Sequence, residues 1–256
     1  MVEEEREIME VAIEAGHILL ENGAEIFRVE ETINRICRHY GIKSGSAFIL
    51  SNGIFVTSGN REEEAFAKVQ HIPVSGSHLN RVAAVNQLSR EVEEGRYTIE
   101  EVRHRLEEIR RMPGKSKHMQ ILSSGIGSGA FCYLYGGTVR DCLAAFLAGF
   151  FLYIFVLYIS SPYLNKMVSN IAGGAVATVA SMVFYKLGIG QNLDQIVIGS
   201  IIPLVPGVAF TNAIRDIADE NYIAGTVRLI DALLVFFCIA MGVGLVYTVR
   251  QRLMVL

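Results

Sequence analysis

The feature that most constrains this chain is a change of character near Lys117. The charged residues sit overwhelmingly before it, and from Met119 onward the sequence is built of long uncharged runs. A hydrocarbon core of about 30 Å needs roughly 20 apolar residues in a helix rising 1.5 Å per residue. Five runs meet that length: 119–139, 142–160, 167–185, 195–214 and 232–249. Nearly uniform apolar helices with almost no polar face suit lipid far better than a water-soluble core. The first run, rich in Gly and Ser, is the least hydrophobic, so four crossings with this run re-entrant is the alternative count. The expected fold is an α+β soluble N-terminal domain over 1–115 followed by an all-α polytopic transmembrane bundle of about five helices over 116–256.

The part before Lys117 carries its own pattern. Ile8, Val11, Ala12, Ala15, Ile18 and Leu19 recur at helical spacing, predicting an amphipathic helix over 3–21 that ends at Asn22-Gly23. A second helix over 24–40 follows, with Ile26, Val29, Ile33, Ile36 and Cys37 on one face and Gly41 as its stop. Residues 46–58 read as two β runs around Asn52-Gly53, and a third strand is expected over 65–72. Helices return over 77–94 and 98–111. The latter opens with Thr98-Ile-Glu-Glu101, a capping box. Met112-Pro113-Gly114 breaks that helix at the domain boundary.

Composition excludes several functions. The net charge of −3 leaves no basic footprint for nucleic acid. Cys37, Cys132, Cys142 and Cys238 are scattered without zinc spacing and read as free thiols. His17, His39, His71, His78, His104 and His118 form no metal pattern, and neither a phosphate loop nor a nucleophile elbow appears. The carboxylate runs Glu3 to Glu5 and Glu62 to Glu64, and Ser77-His78, read as solvated faces and helix starts. No enzyme, cofactor or metal site is therefore expected. The acidic N-terminus lacks the basic start and cleavage site of a signal peptide. With no Trp, tyrosines such as Tyr133, Tyr163 and Tyr247 supply the interfacial belt. Arg110, Arg111, Lys115 and Lys117 ahead of the first crossing place the N-terminal domain in the cytoplasm. An odd helix count then puts the C-terminus outside, and Arg250 and Arg252 argue weakly the other way.

Two crossings carry chemistry. In the third, Ser169, Gly173, Ala177 and Ser181 line small side chains along one face, a seam for a helix of this chain or of a partner. In the fourth, Pro203 and Pro206-Gly207 remove backbone donors and break the helix. A half-helix starting at Pro206 presents N–H groups and a positive dipole to an anionic substrate, although a kink that serves only packing is the plainer reading. Thr211, Asn212, Arg215 and Asp216 follow within two turns, with Thr211 and Arg215 on one face and Asn212 and Asp216 on another. Arg228 and Asp231 stand three apart at the start of the fifth crossing. An ionisable group at that depth is a functional candidate unless it is merely interfacial.

The run Leu204-Val-Pro-Gly-Val-Ala-Phe-Thr-Asn-Ala-Ile-Arg-Asp216, with Gly225-Thr-Val-Arg-Leu-Ile-Asp-Ala-Leu-Leu234, resembles the signature of the threonine/serine exporter family. Gly23-Ala-Glu-Ile-Phe-Arg-Val-Glu-Glu-Thr32 resembles that family's N-terminal motif. The resemblance implies a multi-pass carrier of the cell (inner) membrane that exports small hydrophilic metabolites under an ion gradient. Full-length members carry a second hydrophobic half, so this chain is similar to the larger subunit of the split form, whose partner is a smaller all-membrane protein. Such pairs are linked to dicarboxylates such as succinate as well as to threonine and serine. On this reading Pro206, Gly207, Thr211, Asn212 and Arg215 bind substrate, and Asp216, Arg228 and Asp231 couple an ion. Glu25, Arg28, Glu30, Glu31 and Thr32 form a gate or docking surface, or else local ion pairs of the second helix. The expected partners are the lipid bilayer, the small subunit and a small-molecule substrate, with room for a higher oligomer. The competing class is an enzyme or sensor in the N-terminal domain held by a membrane anchor.

Overall fold

The computed structural model describes residues 3–42, 45–58, 66–72, 78–160 and 164–255. Glu62 to Glu64, Ser77 and Tyr163 lie outside these residues, as do the side chains of Glu3 and Glu4. The chain forms two compact units. One ends at Gly114 and takes in Val208–Ile230, and the other comprises Lys115–Gly207 with the residues from Asp231 onward.

In the first unit, α1 (Glu3–Glu21) and α2 (Ile26–His39) form an antiparallel pair, followed by strands β1 (Gly45–Leu50), β2 (Gly53–Ser58) and β3 (Phe66–His71). The strands make one antiparallel meander, β1-β2-β3, with Leu50 opposite Gly53 and Ile54 opposite Gln70. Ser51-Asn52 is the two-residue connection and Gly53 is already paired, so the hairpin turn lies one residue before the expected Asn52-Gly53. Helices α3 (Leu79–Glu93) and α4 (Ile99–Arg110) complete this stretch. Thr98 and Glu101 cap α4 reciprocally, at 3.4 and 2.8 Å. Although its pattern is amphipathic, α1 is the central helix: Met9, Ala12, Ile13, Ala15, Ile18, Leu19 and Leu20 are all buried. Around it close Ile26, Ile33, Ile36, Ile54, Val85 and Leu106.

The second unit is helical: α5 (Lys117–Leu134), α6 (Val139–Phe155) with a π turn over Val156–Ser160, α7 (Lys166–Lys186) and α8 (Leu193–Ile201) with a 3-10 turn over Ile202–Leu204. Two further helices follow, α9 (Gly207–Ala218), assigned to the first unit from Val208, and α10 (Tyr222–Val255), assigned to the first unit as far as Ile230 and to the second from Asp231.

The expected fold class is corrected. The protein is overwhelmingly helical, with one small three-stranded sheet among the described residues, and its helices are mostly apolar. It is a helical membrane protein and has no separate soluble α+β domain. The strand signals were real but local, and the N-terminal helices share one unit with Val208–Ile230, of which Ala224 joins their apolar core. The count of five is reduced, and the alternative of four, without the first run, is the upper number. Among the described residues three helices are long and apolar enough to cross a membrane, Val139–Ser160, Lys166–Lys186 and Tyr222–Arg252. A fourth is counted only if Leu193–Leu204 and Gly207–Ala218, broken between them, act as one span. Helix α5, the Gly- and Ser-rich run, is not among them.

The small-residue seam of α7 packs inside its own chain. Gly173 lies under Leu204, and Ser181 Oγ is 3.0 Å from Ser200 Oγ on α8. The next residue, Gly174, meets α10, where a Cβ would stand 2.6 Å from the Ile239 carbonyl oxygen. At Gly242 a Cβ would overlap the Ile171 carbonyl oxygen. Neither obstacle is a movable side chain, so these glycines set the distance between α7 and α10. Gly174→Ala or Gly242→Ala is expected to lower stability by about 1–3 kcal/mol through overpacking. Gly244→Ala, in open space, should be neutral. Thermal melts of the detergent-purified chain read the difference.

Candidate functional site

Helix α2 opens without a cap of its own. Its N-cap residue, Glu25, makes no side-chain bond to a backbone N–H of the first turn, which leaves backbone donors at a positive helix end seeking an acceptor. The acceptor comes from 190 residues away: Ile26 N–H donates to Asp216 Oδ1 at 3.0 Å. Asp216 is fully buried on α9, and its other oxygen accepts from Arg228 Nη1 at 2.7 Å. Arg228, on α10, also donates through Nη2 to the Ala24 carbonyl at 3.1 Å. Asn212, one turn before Asp216, donates to the Gly23 carbonyl at 3.0 Å. Three side chains thus hold the backbone of the turn between α1 and α2. Gly23, at φ +81, supplies the left-handed residue the turn requires.

The α9–α10 hairpin is built to bring these side chains together. The Asn221 N–H bonds to the Asp216 carbonyl at 2.8 Å and the Glu220 N–H to Ile217 at 3.1 Å, which closes α9 with a Schellman turn. Its left-handed residue is Glu220, at φ 65, where glycine is usual. Gly225 then lets α10 approach closely, for a Cβ there would meet Ile217 N at 2.9 Å and Ala213 O at 3.0 Å.

A second, more open charge cluster lies beside the first. Glu25 bridges two arginines: Arg28 Nε donates to Oε2 at 2.9 Å, and Arg215 Nη1 bonds to Oε1. The Glu25 side chain is 12% exposed, against 38% for Arg28 and 56% for Arg215. Both arginines line a cavity of about 670 Å³ with Phe27, Ala218, Asp219 and Glu220.

The structure therefore gathers Glu25, Arg28, Asn212, Arg215, Asp216 and Arg228, drawn from three stretches of sequence. The remaining candidates fall elsewhere. Thr211 bonds through Oγ1 to the Val208 carbonyl on its own helix, and Pro206-Gly207 marks the start of α9. Glu31 pairs with Arg35 at 2.6 Å, Glu30 is exposed and Thr32 is buried. Arg228, the nearby counter-charge expected for Asp231, serves Asp216. Asp231 instead takes Lys166 Nζ, at 2.7 and 2.5 Å, in the second unit.

Sequence reasoning overlooked Lys166 and Asp141. The fully buried Asp141 accepts from Thr138 N and Oγ1, Gln191 N, and Asn192 N and Nδ2, at 2.6 to 2.9 Å. It caps α6 and ties down the connection between α7 and α8. The Thr138-Val-Arg-Asp141 spacing is a capping signal legible in the sequence. For Lys166, 65 residues from Asp231, there was none.

The family model for the threonine/serine exporters (ThrE) matches residues 10–250. The chain belongs to the threonine/serine exporter family. Among the relatives, the threonine/serine exporter of Corynebacterium glutamicum is 23% identical over 93% of this chain and 50% of its own length. The chain thus spans about half of that relative. The probable succinate transporter subunit YjjP of Escherichia coli is 24% identical over 96% of both chains, and YjjP of Klebsiella aerogenes is 24% identical over 96% of this chain and 95% of its own. No solved structure matches significantly. The family and these relatives are named as exporters or transporter subunits, and this member carries several helices long and apolar enough for a membrane.

Breaking one side of a buried ion pair strands the other charge, at about 3–5 kcal/mol. Asp216→Asn and Arg228→Met should each lower the melting temperature in detergent by roughly 10 °C. The double variant should cost less than the sum, because neither charge is then left alone.

Proposed function

We propose that this chain is one subunit of an ion-gradient-driven exporter of small carboxylate-bearing metabolites, threonine and serine or a dicarboxylate such as succinate. The observation that carries this reading is the arginine pair, Arg28 and Arg215, opening on a cavity where the two family motifs meet. An arginine fork suits a carboxylate, the group that threonine, serine and succinate share. Asn212, Asp216 and Arg228 position Arg215 by fixing α9 and α10 to the α1–α2 turn. Thr211, on the same helix as Arg215, is a further candidate for the ligand, and the half-helix start at Pro206-Gly207 is an anion candidate in its own right, since a helix N-terminus favours anions.

Coupling falls to Asp231. It is the carboxylate within a long apolar helix, and its counter-charge, Lys166, is a single flexible ammonium that a proton can replace. A smaller all-membrane partner completes the carrier. Its support is the relatives' sizes: one exporter is twice the matched length, while the relatives matched end to end are named subunits. The bilayer is the inner membrane, with the N-terminal helices in the cytoplasm, supported by Arg110, Arg111, Lys115 and Lys117 ahead of α5.

Proteoliposomes holding this chain and its small partner should release loaded threonine, serine or succinate under an imposed proton gradient, and liposomes with either protein alone should not. Flux of none of the three sinks the proposal. Asp231→Asn should abolish uphill transport while leaving downhill exchange, and full gradient-driven transport by that variant removes Asp231 from coupling.

A further inference from the structure

The geometry points to Glu25 as an internal stand-in for the substrate: its carboxylate occupies the Arg28–Arg215 site that a small metabolite's carboxylate takes when it enters the adjoining cavity. The inference rests on the exporter reading of the same site and names its latch.

Glu25 is not needed to hold the turn it belongs to. The Gly23 carbonyl, the Ala24 carbonyl and the Ile26 N–H are already tied to Asn212, Arg228 and Asp216, the last two of them buried or nearly so. The Glu25 bonds add nothing to that register. They use one nitrogen of each arginine, Arg28 Nε and Arg215 Nη1, where a guanidinium offers five N–H donors in a planar fork. Arg28 and Arg215 line the cavity and are partly exposed, whereas the Glu25 side chain is 12% exposed and is not part of the lining. An arriving carboxylate competes with Glu25 for the same two guanidinium charges. Neutralisation of the arginines by one carboxylate weakens their hold on the other.

The rest of the lining bears on the ligand class. Asp219 and Glu220 stand in the same cavity, so an ammonium finds acidic partners there, and the displaced Glu25 is a third. An α-amino acid satisfies both signs, whereas a dicarboxylate places its second charge among carboxylates. The site is thus a carboxylate site biased toward a zwitterion. Release of Glu25 frees the first turn of α2 from the side chain of α9 while the Asp216 cap stays in place.

The test is isothermal titration of the full chain in detergent with L-threonine and, separately, succinate. Glu25→Gln removes the competing charge and is expected to tighten threonine binding about tenfold, the equivalent of 1.4 kcal/mol. Arg215→Gln and Arg28→Gln should each abolish binding. Glu25→Asp, which draws the carboxylate back by one methylene, should fall between wild type and Glu25→Gln, and stands in if the latter does not fold. Asp219→Asn with Glu220→Gln should weaken threonine and spare or strengthen succinate. Unchanged or weaker affinity in the Glu25 variants, or ligand retained in both arginine variants, overturns the latch, as does an absence of binding throughout. Flux in proteoliposomes separates the two claims: wild-type transport with unchanged Glu25-variant affinity removes the latch alone, and absence of flux of every carboxylate removes the exporter reading.

Discussion

The structure turns on one carboxylate. Asp216 is fully buried, and a buried charge is tolerated only when its oxygens are satisfied. One oxygen takes a helix N-terminus that lacks a cap and the other takes a guanidinium, so α9 and α10 are bound to the turn between α1 and α2. Because α2 has no acceptor of its own, the dependence is mutual. The helix start needs Asp216, and Asp216 needs the helix start. Arg228 closes the arrangement by spending its second nitrogen on the Ala24 carbonyl.

From that constraint the functional geometry follows. Fixing α9 by Asn212 and Asp216 turns the intervening Arg215 toward α2, where Glu25 and Arg28 are waiting. Glycine at 225 allows the return helix to come close enough for Arg228 to reach. The Asp216–Arg228 pair is buried on both sides, whereas in the neighbouring cluster Glu25 is buried and its arginines, Arg28 and Arg215, are partly exposed. In the second unit, Asp141 plays a part comparable to Asp216, accepting five donors around two helix starts without any cation.

Much of the site was legible one residue at a time. Arg215, Asp216, Arg228 and the Glu25–Arg28 motif stood out because charged groups are costly in apolar surroundings and because they sat in recognisable runs. Their pairing was not legible. Spacing suggested Arg228 with Asp231, three apart on one helix, yet Arg228 reaches back 12 residues to Asp216 and Asp231 reaches 65 to Lys166. Local spacing predicts local partners, whereas the buried Arg228–Asp216 pair is set by desolvation and the exposed Lys166–Asp231 pair by the approach of two helices.

By itself the sequence determined a membrane protein of apolar helices, a proline-broken segment after Leu204, a hairpin near Asn52 and the capping of α4, all set by short-range chemistry and hydrophobic length. It overstated the independence of the N-terminal stretch, because a charged composition reads as a soluble domain until its buried partners are known. Tertiary structure alone decided that this stretch packs with α9 and the start of α10, and that two motifs nearly 200 residues apart meet in one cluster of charged side chains. The reason is physical: an uncapped helix end, a buried aspartate and a buried arginine each need a partner, and only the folded chain brings them within hydrogen-bonding reach.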